Sequence, residues 1–266
     1  MSEMRVLFLI ISATVMMLAS IHAAEPFHEV QCEGDYQHHL QGVCTSEDSI
    51  FWCFTSEFVK TDAEGKVLKK IAVPGHHGDL CFHDSKVYVA VNLGKFNRAP
   101  GEANSWVYVY KADDLSLLAR HPVQEANHGA GGIAYHDARF IIVGGLPEGI
   151  EENYVFEYDM NFKFVKKHVL KSGYTLLGIQ TAAFADGHWW FGCYDKTLLK
   201  ADESLSNVER FPFDLEGSVG LVPLSQGRFL VARGGGTSDK RYTGRLVVAE
   251  SDPKHGLVVA TSESTK

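Results

Sequence analysis

Short apolar runs separated by turn-forming clusters occupy the chain from residue 38 onward. Residues 42–45, 50–55, 58–61 and 66–73 carry the alternating or wholly apolar character of half-buried strands. Asp62-Ala63-Glu64-Gly65 supplies the turn before the last of them. The same meander of four recurs at 80–82, 86–91, 106–110 and 116–122, and again at 132–135, 139–143, 154–158 and 164–170. It returns at 181–184, 188–193, 197–200 and 208–213, and finally at 219–224, 228–232, 245–250 and 256–261. No segment carries a long helical period with caps, so helix is expected to be scarce. Repetition of this kind points to a ring or a solenoid of sheets, and a ring leaves only short protected edges. The expected fold is all-β: a five-bladed β-propeller of four-stranded antiparallel blades over residues 38–266, after a polar lead-in at 25–37.

Each unit begins with a polar, glycine-bearing stretch. These are His38-His39-Leu40-Gln41-Gly42-Val43, Pro74-Gly75-His76-His77-Gly78-Asp79-Leu80, Asn127-His128-Gly129-Ala130-Gly131-Gly132-Ile133 and Leu177-Gly178-Ile179-Gln180-Thr181-Ala182. Glu216-Gly217-Ser218-Val219-Gly220-Leu221 is a weaker fifth. Inner strands crowd toward the axis, and glycine lets backbones approach closely, so the glycines have a packing reason. The fold makes no such demand for His76, His77 or Asp79. In a meander, the unit-to-unit connections share a face with the loops between second and third strands. Insertions at 92–105, 144–153 and 233–244 fall on that face. A funnel at that mouth is the expected site.

Composition narrows the setting. The chain has 266 residues, 45% hydrophobic and 22% charged, which suits one globular domain. Arg5, an apolar stretch at 6–19 and Ala23-Ala24 read as a signal peptide over residues 1–24, implying a secreted or periplasmic protein. The formal charge of -8 gives no basic footprint for nucleic acid or, after signal cleavage, for a membrane. The expected partner is a small molecule or a carbohydrate, bound by a monomer. Cys32, Cys44, Cys53, Cys81 and Cys193 show no CxxC spacing, and all but Cys32 fall in apolar runs, as small core hydrophobes do. Should one pair oxidise, Cys44 and Cys53 on neighbouring strands are the first candidates.

The candidate chemistry lies at the strand starts. His77, Asp79 and His128 are the expected catalytic groups, because an imidazole near a carboxylate moves protons at neutral pH. His39, Gln41, His76, Gln180 and Thr181, with Arg98 and Arg233 from the insertions, are the expected ligand-binding residues. His39, His77 and His128 also make a donor set for a divalent metal such as zinc, manganese or calcium. No HxH or HExxH spacing supports a metal, and structural hydrogen bonding accounts for the same histidines. Trp189 and Trp190 alternate faces, which puts one in the core between blades; for the other, packing is favoured over stacking on a sugar. Gly234-Gly235-Gly236 reads as a flexible loop, and no nucleotide fingerprint or nucleophile elbow occurs. Together these residues favour acid–base or metal-assisted chemistry of the hydrolase or lyase type on a small polar molecule or carbohydrate. A non-catalytic sugar- or small-molecule-binding module, or a protein-interaction propeller, accounts for the same features.

Two resemblances bear on these readings. Val59-Lys60-Thr61-Asp62-Ala63-Glu64-Gly65-Lys66-Val67-Leu68 and Val155-Phe156-Glu157-Tyr158-Asp159 resemble the repeats of secreted bacterial propeller proteins of unassigned activity. Gln41-Gly42-Val43 resembles the first inner strand of plant-type glutaminyl cyclases, small secreted five-bladed propellers. That likeness implies an axial polar pocket that cyclises N-terminal glutamine, and it carries over Gln41 alone. Where that family has Gly-Glu-Gly-Leu, this chain has His77-Gly78-Asp79-Leu80.

Overall fold

A computed structural model describes residues 28–260, so the signal peptide expected at 1–24 lies outside the described residues. The strands are β1 (Val30–Gln31), β2 (Gly42–Thr45), β3 (Ser49–Asp62), β4 (Val67–His83), β5 (Lys86–Asn92), β6 (Ser105–Lys111) and β7 (Leu117–Pro122). They continue as β8 (Ala130–His136), β9 (Arg139–Gly144), β10 (Asn153–Asp159), β11 (Phe164–Leu170), β12 (Ile179–Ala185), β13 (His188–Cys193), β14 (Thr197–Asp202) and β15 (Val208–Pro212). The last four are β16 (Leu221–Pro223), β17 (Arg228–Gly236), β18 (Tyr242–Asp252) and β19 (Gly256–Val259). A single 3-10 turn at Gly217–Val219 is the helical element among the described residues.

The chain is an all-β propeller of four hydrogen-bonded sheets, which corrects the expectation of five separate four-stranded blades. Strands β8–β11 and β12–β15 form two four-stranded sheets, and β16–β19 with β1 form a five-stranded one. The first two sequence units are merged into one six-stranded sheet, β2 to β7. The merger has a local cause. In the second and third units a long insertion separates the second strand from the third, whereas here β3 runs straight through Thr55, which adopts a left-handed φ of 56°. β4 likewise runs on through Pro74 and Gly75, and its pairing with β3 jumps from Ala72 opposite Glu57 to His77 opposite Thr55. The extra residues of that jump bend the strand without breaking its ladder, as a bulge does.

Apolar layers fill the seams of the ring. Val43, Trp52, Leu230 and Leu246 join the first sheet to the last, and Phe58, Leu80, Val89 and Tyr110 fill the space between the two halves of the six-stranded sheet. Each such side chain is worth about 1.5–3 kcal/mol when taken out of water. Trp189 and Trp190 are both buried, in adjoining layers, with their indole N–H groups bonded to the carbonyls of Glu203 (3.1 Å) and Ala185 (3.4 Å). Neither is free to stack on a sugar, because strand alternation here leads from one seam into the next rather than out to solvent. Gly234, Gly235 and Gly236 are not a loop but the end of β17, opposite Gly244, Thr243 and Tyr242. The five cysteines are free thiols; burial pushes those of Cys32 and Cys193 up to about 12.

The lead-in is part of the ring. Val30 and Gln31 pair with Leu246 and Arg245, and Tyr36 bridges to Tyr242 while stacking on Phe54 at 3.7 Å between centroids. No helix among the described residues is long and apolar enough to cross a membrane.

Candidate functional site

The five polar strand starts gather at one end of the axis, and the first two meet directly. Gln41 precedes β2 and is 6% exposed. Its carboxamide nitrogen lies 2.6 Å from Nε2 of His39 and 3.2 Å from Nε2 of His76, with the Thr55 hydroxyl at 3.4 Å. One amide therefore sits between two imidazoles brought in by separate strands. Burial holds His39 below the ordinary imidazole range, helped by His38. Burial does the same for His76, with His39 adding to it. Both rings are thus neutral near pH 7 and accept from the amide through Nε2. That leaves Nδ1 of His76 as a buried ring nitrogen with no partner in the protein.

Aromatic rings flank this trio. Tyr242, at the start of β18, meets His39 edge-on at 6.0 Å, and Phe96 stacks beside His76 at 5.8 Å. Phe96 belongs to the insertion after β5, a hairpin tied by Leu93 to Asn104 and Lys95 to Glu102 backbone bonds. Its tip crosses the mouth. Asn97 donates its backbone N–H to His128 O (2.9 Å), and its side-chain oxygen accepts from Leu146 N (3.0 Å). Gly129 is needed under this strap: its φ is 111°, and a Cβ there would strike the Phe96 ring.

The remaining expected residues are placed elsewhere. His77 is fully buried and turned into the seam inside the six-stranded sheet, where Nδ1 donates to Pro74 O (2.7 Å) and Nε2 accepts from the Tyr110 hydroxyl (2.8 Å). Burial lowers its pKa to about 4. Asp79 is 2% exposed and lies on the axis below the mouth, where Oδ2 accepts from Ala182 N (3.2 Å). Burial pushes its pKa well above the carboxylate range. His128 is buried, with Nδ1 donating to Arg98 O at 2.7 Å, and Arg98 itself is exposed on the strap. Gln180 donates to Leu177 O (2.7 Å) within its own strand start, and Thr181 donates to Gly217 O (2.7 Å), tying that start to the next. Arg233 is half-buried on β17, opposite Arg245. His77, Asp79 and His128 therefore do not converge on one point. No group of three His, Cys, Asp or Glu side chains among the described residues is disposed to hold a metal ion.

Phe96 and Thr55 went unforeseen. Phe96 is the single aromatic residue between Asn92 and Asn104, a signal that was present in the sequence. Thr55 reaches Gln41 through its positive φ, which a threonine in an apolar run does not announce.

No protein-family model matches the chain, and no curated protein matches it in sequence. Solved structures do match in shape. Myxococcus xanthus glutaminyl cyclase aligns with a TM-score of 0.55 at 12% identity, covering 89% of this chain and all of that one. The WD40 repeats of RRP9 align with a TM-score of 0.52 at 9% identity, covering 87% of this chain and 66% of that one. U3-55K gives 0.51 at 9%, covering 87% and 67%. At these identities the likeness establishes the propeller fold and nothing finer.

Proposed function

We propose that the chain is a binding module for a small, neutral, polyhydroxylated molecule of the carbohydrate class, held at the mouth by His39, Gln41 and His76. The observation that carries this reading is the Gln41 amide between two neutral imidazoles, with His76 Nδ1 left unpaired. A buried donor without a partner costs about 1–3 kcal/mol, which a ligand hydroxyl would recover. Tyr242 and Phe96 on either side supply ring surface of the kind that packs against sugars. Binding is favoured over acid–base turnover because Asp79 is buried away from the mouth and His77 has both nitrogens engaged. The glutaminyl cyclase likeness supports the propeller fold that carries this mouth and does not choose between binding and turnover.

The test is calorimetric titration of the protein with a panel of mono- and oligosaccharides. The expected outcome is one class of sugar bound and recovered unchanged, with Gln41→Ala and His76→Ala each weakening it about tenfold or more. Affinity should also fall below the ordinary imidazole range, as protonated rings turn from acceptors into donors facing the Gln41 amide. Absence of binding across the panel, or unchanged affinity in both variants, refutes the reading.

A further inference from the structure

The hairpin of β17 and β18 reaches the mouth with one edge closed and the other open. Its strands pair as far as Gly236 opposite Tyr242. The lead-in closes the β18 edge: Tyr36 and Tyr242 exchange backbone bonds of 2.8 and 2.9 Å, and Cys32 N donates to Gly244 O at 2.9 Å. The β17 edge has no such cover. β16 pairs no further than Leu221 opposite Val231, and the bonding ends with Ala232 N to Gly220 O at 3.0 Å. That bond turns the even-numbered peptide groups of β17 toward the axis, and Thr237 N to Arg241 O at 2.8 Å turns the odd-numbered ones toward β18. The N–H and C=O groups of Gly234 and Gly236 therefore line an exposed edge, and none has a partner among the described residues.

Packing does not demand glycine at either position. Neither residue has a left-handed φ, and an added Cβ would meet only Leu40, at 3.9 Å from Gly234, and nothing at Gly236. Glycine weakens a strand and marks places where a ligand or another backbone comes close. The edge also continues the mouth. Tyr242, opposite Gly236, meets His39 edge-on at 6.0 Å, and Leu40 lies between His39 and Gln41 in the chain.

We infer that this edge is a second subsite of the mouth and that the ligand is an oligosaccharide. One unit sits on His39, Gln41 and His76, and the next lies across Tyr242 and Gly236 with its hydroxyls on the free peptide groups. This rests on the sugar reading of the mouth. A hydroxyl both donates and accepts, so it serves an N–H and a C=O alike. Gly234 and Gly236 stand about 7 Å apart on an extended strand, within the span of one sugar unit and its hydroxyls. The missing side chains let a ring come down onto the backbone, and Tyr242 packs against its flank. An added peptide strand is the other occupant of an open edge, but the turn at Thr237 leaves it too short a ladder.

Calorimetry of the full chain tests this with glucose, mannose, xylose and N-acetylglucosamine, each beside its 1,4-linked tetramer, and with tetra-alanine as the extended-peptide counterpart. In the series that binds, the tetramer should bind about tenfold or more tightly than the monosaccharide. Gly236→Val fills the edge where a Cβ meets nothing, so its melting temperature should not fall. It should bring the tetramer down to the affinity of the monosaccharide and leave the monosaccharide unchanged, whereas Gln41→Ala should weaken both. Equal affinity at the two lengths, a tetramer indifferent to Gly236→Val, or binding of tetra-alanine to the edge overturns the inference and leaves the mouth reading standing. No sugar bound at either length defeats the mouth reading and the inference together.

Discussion

At His77 an imidazole is held with both ring nitrogens satisfied and no exposed surface. Its pKa of about 4 makes it a store of pH-dependent stability. The folded value lies below the unfolded one of about 6.5, so the neutral form is favoured by folding and the contribution is complete above pH 6.5. It is lost as pH falls from about 6.5 toward 4, by about 3 kcal/mol over the window. Urea titrations of wild type and His77→Phe should show the wild-type advantage shrinking across that window; an advantage constant with pH would contradict it. The sequence showed that this histidine was not required by the fold class, yet it could not show Tyr110 waiting across the seam. His39, Gln41 and His76 were legible as polar residues at strand starts. Which of them touch was decided by bends at Thr55 and between Ala72 and His77, and no residue type encodes those bends.

Among the elements, the strap from β5 to β6 determines how open the mouth is. Its hold on the neighbouring sheet rests on Asn97, whose oxygen takes the Leu146 amide at 3.0 Å. Asn97→Ala should cost about 1 kcal/mol and speed hydrogen exchange at Leu146 selectively. Uniform exchange with the wild type would mean that the strap is held by Phe96 alone. The strands themselves were readable, because period-two alternation and turn residues mark them well. Their grouping into sheets was not. A connector of two residues and a Pro-Gly pair look like breaks in sequence, but in space they carry β3 and β4 through without interruption and fuse two units into one sheet. The same limit applies to Gly234-Gly235-Gly236, whose partner strand lies across a turn and not beside it in sequence.

For the molecule as a whole, closure of the ring depends on the lead-in. Val30, Cys32 and Tyr36 are all buried against the last sheet and β3. Removing the residues before Gln37 should lower the melting temperature by about 10 °C or more, from several kcal/mol of lost burial; an unchanged melting curve would show that the seam closes without it. Ring closure also gathers the polar strand starts into the histidine mouth at one end of the axis. The mouth is tested most directly by a ¹⁵N NMR titration of the histidine side chains with the sugar that binds best. The Nε2 and Nδ1 resonances of His39 and His76 should move with saturation while those of His77 stay fixed. Saturable binding that leaves His39 and His76 unperturbed would contradict it.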